Sequence, residues 1–100
     1  MDIKTAVIYR LNDLINQKDI TVNEAAVRSG VPPSTLKNIL YGQSRNAGVV
    51  TIKKICDGLD ITIQEFFEDP IFADLEPELY EQVNNLRIQI LQDGFFMGKG

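Results

Sequence analysis

Histidine is absent from this chain, and cysteine occurs once, at Cys56. Without histidine there is no ordinary general base at neutral pH, no Ser–His or Cys–His nucleophile pair, and no imidazole to hold a metal. A metal site would have to be built from one thiol and carboxylates. No catalytic residue, metal or cofactor is expected. A lone cysteine closes no internal disulfide, in keeping with a reducing compartment, and Cys56 reads as a small buried hydrophobe on the inner side of a helix. The seven glycines are scattered, and neither GxGxxG nor P-loop spacing occurs. No apolar run approaches the roughly 18 residues of a membrane span, and Met1-Asp2-Ile3-Lys4 opens no signal peptide, so a cytoplasmic protein is expected. The acidic groups Glu65, Glu68, Asp69 and Glu76, Glu78, Glu81 lie at helix starts and ends, where a solvated or dipole-matched face explains them better than acid–base catalysis.

One further absence points the other way. The chain carries a net charge of −4, which by itself disfavours nucleic acid. Yet no carboxylate occurs between Glu24 and Asp57, while Arg28, Lys37, Arg45, Lys53 and Lys54 all fall there. All fourteen carboxylates lie outside that window. Such segregation suits an acidic body with one surface that faces a polyanion. One hundred residues, 44% of them apolar, suit one modest core.

Inside the window, Thr21 to Gly42 reads as two short helices joined by a tight turn. Thr21 with Glu24 three residues on has capping-box spacing, in which hydroxyl and carboxylate satisfy each other's backbone N–H groups. Ser29-Gly30 ends that helix with a residue free to take positive φ, and Val31 can fold back as the apolar contact that follows such a cap. Pro33 fits the first position of the second helix. Pro32 before it is pushed into extended dihedrals, as an N-cap requires, but offers no capping oxygen, a loss of about 1 kcal/mol. Leu36, Ile39 and Leu40 form one apolar face of the helix Pro33 to Tyr41; Ser34, Lys37, Asn38 and Tyr41 form the other.

These residues resemble the helix-turn-helix of the phage lambda repressor and Cro-like family. The likeness is carried by Ala26, where a small side chain lets the next helix cross closely, by Gly30 and Val31 in the turn, and by Leu36 and Ile39 inside. It continues through Asn46 to Leu59 and Ile61 to Phe67, covering roughly Ile3 to Phe67. The resemblance implies an all-α, lambda-repressor-like DNA-binding domain of five short helices, here with one C-terminal helix in addition. It implies double-stranded DNA as partner, bound through the major groove. On the second helix Asn38 can pair with adenine, Lys37 can donate to guanine, and Ser34 is permissive, so these three are the base-reading candidates. Tyr41 is placed for a phosphate or a thymine methyl. Gln43, Ser44, Arg45 and Asn46 occupy the loop that holds backbone phosphate in the family. Two departures are informative. Val22 stands where many relatives have a phosphate-binding Gln, and Pro33 where a base-reading polar residue often lies. Fewer direct base contacts are therefore expected, with more dependence on DNA shape.

The remaining elements follow from periodicity. A first helix spans Ile3 to Gln17, with Val7, Leu11 and Leu14 in a stripe supported by Ile8 and Ile15. Ile20 precedes the Thr21 cap as a hydrophobic staple. A fourth helix runs from about Val49 to Leu59, with Ile52, Ile55, Cys56 and Leu59 inward. Thr62 caps a fifth, Ile63 to Phe67, in which Ile63, Phe66 and Phe67 close the core. Glu68-Asp69-Pro70 breaks the pattern, giving a DNA-binding domain over 1–69 and an extension over 70–100. Within the extension, Pro77 to about Gln92 suits one helix whose seam, Leu79, Val83, Leu86 and Ile90, either packs on its own chain or pairs with a second subunit.

The expected function is a small sequence-specific transcriptional regulator, a phage-type or mobile-element repressor acting as a dimer on a palindromic operator. The alternative is a protein-interaction module, such as an antitoxin-like partner, that uses the C-terminal helix and the Phe95-Phe96-Met97 tail.

Overall fold

The computed structural model describes residues 1–44 and 47–78, in which five α-helices and one short 3-10 helix surround a single core. The helices are α1 (Ile3–Lys18), α2 (Val22–Ser29), α3 (Pro33–Leu40), α4 (Val49–Gly58) and α5 (Ile63–Phe67), followed by the 3-10 helix Pro70–Phe72. The all-α arrangement expected from the sequence is the one that forms, and no strand occurs among the described residues. α2 packs on both α3 and α4, α1 on α3 and the 3-10 helix, and α5 on α4.

Left-handed residues follow each of the first four helices. After α2, Gly30 takes φ +66°; its N–H donates to the Val27 carbonyl, and the Val31 N–H reaches back to Ala26 at 3.1 Å. Val31 is buried, so the turn is anchored by an apolar contact as well as by two hydrogen bonds. Asp19 and Asp60 do the same work after α1 and α4 at φ 55° and 58°, without glycine's freedom.

Leu11, Leu36, Ile55, Leu59 and Phe66 are the large side chains withdrawn almost wholly from water, and Cys56 is buried among them. Each large apolar side chain fully buried in this way contributes roughly 1.5–3 kcal/mol. Two details differ from the periodicity reading. Along α1 the buried residues are Ala6, Leu11, Leu14 and Ile15, while Val7 and Ile8 are half-buried and only Val7 packs against the core. In α5, Phe66 is buried but Phe67 stays 41% exposed, because neighbours on a helix are about 100° apart and cannot both face inward. Phe67 instead lies edge-on to Phe66, 4.8 Å between centroids, and against Phe72 at 5.0 Å.

Two tight contacts hold the helices in register. α4 ends on Gly58, and a Cβ there would stand 2.7 Å from the Ser29 backbone nitrogen and 2.8 Å from its Cα. Only glycine lets α4 come this close to the end of α2. At the other junction, Arg10 of α1 donates to the carbonyls of Phe66 and Glu65, both at 2.9 Å, and to Asp69 Oδ2 at 3.1 Å. One guanidinium thus bonds two carbonyls near the end of α5 and pairs with the carboxylate that follows.

Packing continues past Asp69, whose Oδ1 accepts from the Ile71 N–H at the head of the 3-10 helix; Phe72 rests against the core. The Glu76 N–H then donates to the Met1 carbonyl at 3.1 Å. Pro77 and Glu78, where a C-terminal helix was expected to start, are not helical. The rest of that helix, including Leu79, Val83, Leu86 and Ile90, lies outside the described residues, as do Arg45 and Asn46.

Candidate nucleic-acid interface

α3 starts without a side-chain cap: Pro32 sits at φ −57° and ψ 138° and makes no such bond. Its carbonyl instead accepts from the N–H groups of Thr35 and Leu36 at 2.9 and 3.2 Å. The helix is oriented from the other side. Leu36, Ile39 and Leu40 are buried in the common core, and Ala25 and Ala26 of α2 are fully buried with them, as a close crossing of the two helices requires.

That seating turns the opposite face outward. Ser34 and Asn38 are exposed, Lys37 is half-exposed, and Tyr41 is 71% exposed. Positions 34, 37, 38 and 41 are related by three, four and seven residues, so they form one continuous face. Tyr41 is the residue that ends the helix (φ −90°, ψ 5°) rather than its last turn, and the helix itself stops at Leu40. Gln43 is exposed and Ser44 half-buried in the turn that follows.

This turn and the start of α4 enclose a groove of about 210 Å³. Thr35, Asn38, Gln43, Ser44, Gly48 and Thr51 line it. Ile39 and Ala47 complete the lining, and no charged side chain among the described residues contributes to it. α4 opens on Gly48, which supplies no capping side chain to the first N–H groups of that helix. Thr35, Gly48 and Thr51 were not singled out from the sequence. Thr35 stands three residues before Asn38 and so shares its side of α3, but Thr51 joins the groove only through the tertiary approach of α4.

The electrostatics correct the linear charge argument. Arg28 pairs with Glu24 at 2.9 Å and Lys53 with Asp57, each across one helical turn. Both carboxylates flank the acid-free window, and each reaches into it. Among the described residues no carboxylate pairs with Lys37 or Lys54. The available positive charge is therefore narrower than the window suggests.

The Thr21–Glu24 capping box is likewise half made. Thr21 Oγ1 accepts from the Glu24 N–H at 3.1 Å, but the Glu24 carboxylate is held by Arg28. Val22, one of the two departures from the family pattern, is half-buried and packs against the core. Its place in the packing explains why a long polar side chain is absent there. Cys56 is fully buried, and burial together with neighbouring Asp57 pushes its thiol above the ordinary value, which keeps it protonated and unreactive at neutral pH. No cluster of three or more metal-ligating side chains occurs among the described residues, and no helix among them is long and apolar enough to cross a membrane.

The helix-turn-helix family model matches residues 11–66, more than half of the chain. The chain belongs to the lambda repressor-like helix-turn-helix family. It is thereby a DNA-binding regulator of the helix-turn-helix kind. Among solved structures, the crystal structure of the prophage Lp1 protein 11 is similar to it, with 30% identity and a TM-score of 0.65 over 75% of this chain and 100% of that one. No curated protein matches it significantly. The matched span holds α2, the Gly30 turn and α3, and its ends fall at the buried residues Leu11 and Phe66.

Proposed function

We propose that this helix-turn-helix regulator binds double-stranded DNA sequence-specifically, as a small phage-type or mobile-element repressor, and reads the major groove with the face of α3. Ser34, Lys37 and Asn38 are the base-reading residues in this reading. Tyr41, Gln43, Ser44, Arg45 and Asn46 hold the phosphate backbone beside them. The observation that carries it is the seating of α3. Three buried side chains fix the helix, while four side chains able to bond bases or phosphate share its outer face. Thr35 and Thr51 add polar neighbours around Asn38 without adding charge.

The regulator acts in the cytoplasm as a homodimer on a palindromic operator with half-sites about one helical turn (about 34 Å) apart. The seam Leu79, Val83, Leu86 and Ile90, in an extension that follows the domain, joins the subunits. Because Val22 is used in packing and Pro33 carries no donor, base contacts are few and DNA shape contributes much of the preference.

Selection from a pool of random duplexes tests the reading, followed by a salt titration on the best site. A palindromic motif should be enriched, and Arg45→Ala should weaken every sequence and flatten the salt slope by about one unit. Absence of enrichment, with binding weaker than about 10⁻⁴ M at physiological salt, would sink it in favour of a protein-interaction role.

A further inference from the structure

The turn after α3 carries Tyr41, Gln43 and Ser44, and its conformation is fixed by bonds from two elements. Within the helix-turn segment, the Gly42 N–H donates to the Ile39 carbonyl at 3.1 Å. The N–H groups of Gln43 and Ser44 both donate to the Asn38 carbonyl, at 2.9 and 3.2 Å. From α1, at the far end of the sequence, the Lys4 Nζ donates to the Gly42 carbonyl at 2.8 Å, and its side chain is half-buried on the way. The Gly42 carbonyl and the Gln43 N–H belong to one rigid peptide plane. Asn38 therefore holds one edge of that plane and Lys4 the other. Gly42 is in the left-handed region at φ +75°, where a glycine has wide freedom, so an unheld plane there can rotate at little cost.

We propose that Lys4 is a positioning residue for DNA recognition. Its ammonium fixes the Gly42–Gln43 peptide, and with it the placement of Gln43 and Ser44 beside Asn38, and it faces the negative end of the α3 dipole. Lys4 acts through the turn and does not itself touch phosphate. This rests on the DNA-binding reading above, but the bond and its effect on the turn can be tested separately.

The experiment compares wild type, Lys4→Met and Lys4→Arg in the full chain. It measures affinity for the duplex selected above at several salt concentrations, together with amide hydrogen exchange. Lys4→Met should weaken binding about three- to tenfold, the range expected for losing one charge-assisted contact at a helix terminus. Its salt slope should match wild type, and the Gln43 amide should exchange faster while amides in the middle of α1 and α4 keep their protection. Lys4→Arg, which retains a cationic donor, should restore both affinity and exchange to near wild type. Unchanged affinity with unchanged Gln43 exchange would overturn the proposal. So would a salt slope lowered by about one unit with Gln43 protection intact, because that pattern marks a direct phosphate contact. If wild type binds no duplex, the DNA reading falls, and the Gln43 amide alone decides: faster exchange in Lys4→Met upholds the positioning bond and no change refutes it.

Discussion

Arg10 and Lys37 put a cation to opposite uses. Arg10 is 11% exposed along its side chain, donates to two carbonyls and a carboxylate, and lies 5.9 Å over the Phe66 ring. Each nitrogen of its guanidinium is bonded within the fold. Lys37 points outward from α3 and has no carboxylate partner among the described residues. A saturated cation stabilises and recognises nothing outside; an unsaturated one costs little to remove and stays available to a ligand. In an acidic chain, that division matters more than the number of basic residues.

The largest effect expected from breaking this contrast is at Arg10. Arg10→Met keeps much of the apolar stem but removes a donor from two α5 carbonyls and from the Asp69 carboxylate. It should lower unfolding free energy by about 2–3 kcal/mol in urea denaturation, toward the low end for a partly solvated ion pair. A loss under about 0.5 kcal/mol would mean that water replaces the guanidinium without penalty. Gly58→Ala tests the other junction. The new methyl would meet Ser29 backbone, which cannot rotate away as a side chain would, so about 1–3 kcal/mol of destabilisation is expected. Unchanged stability would show that α2 and α4 slide apart at no cost.

Lys37→Ala sharpens the comparison from the other side. Stability should stay within about 0.5 kcal/mol, as for an exposed helix position. DNA binding should weaken and lose about 1–3 kcal/mol of discrimination at one base position of the selected site. A uniform loss over all sequences would reassign Lys37 to phosphate.

What the sequence made legible follows the range of the interaction. Helix starts and stops depend on residues three to five apart, and Thr21, Gly30, Pro33, Gly42 and Thr62 mark them correctly. The outward face of α3 follows from the same short-range spacing. What was hidden depends on tertiary approach. Arg10 and Phe66 are fifty-six residues apart, and nothing in local pattern announces that one caps the helix of the other. Gly58 looks like a weak point in a helix until Ser29 is seen against it. Thr51 enters the groove beside Asn38 only when α4 folds over the turn. The acid-free window is a property of the linear sequence, whereas Glu24 and Asp57 reach into it along the helix surface.

The two Thr–Glu caps give the smallest and most specific test. At α5, Thr62 Oγ1 accepts from the Glu65 N–H at 3.0 Å and the Glu65 carboxylate accepts from the Thr62 N–H at 3.1 Å, so the box is complete. At α2 the same spacing makes only the first bond, because Arg28 lies one turn further on and takes the carboxylate. Spacing permits a capping box; at α2 the cation four residues downstream holds the carboxylate that would close it. The hydrogen bonds from Thr62 hold the Glu65 carboxyl below its ordinary 4.5. A carboxyl with a depressed folded pKa binds fewer protons folded than unfolded, so its stabilising contribution is present above about pH 4.5 and is lost as pH falls through the folded value. The difference in Tm between wild type and Glu65→Gln should therefore favour wild type at pH 6 and shrink steadily below about pH 4.5. Competition at α2 is tested by Arg28→Ala, which frees Glu24 to bond the Thr21 N–H. If Thr21–Glu24 then closes, Arg28→Ala should cost less than about 0.5 kcal/mol despite losing an ion pair. A larger loss, with no new protection of the Thr21 amide, would show that the α2 box stays open for reasons of backbone geometry rather than competition.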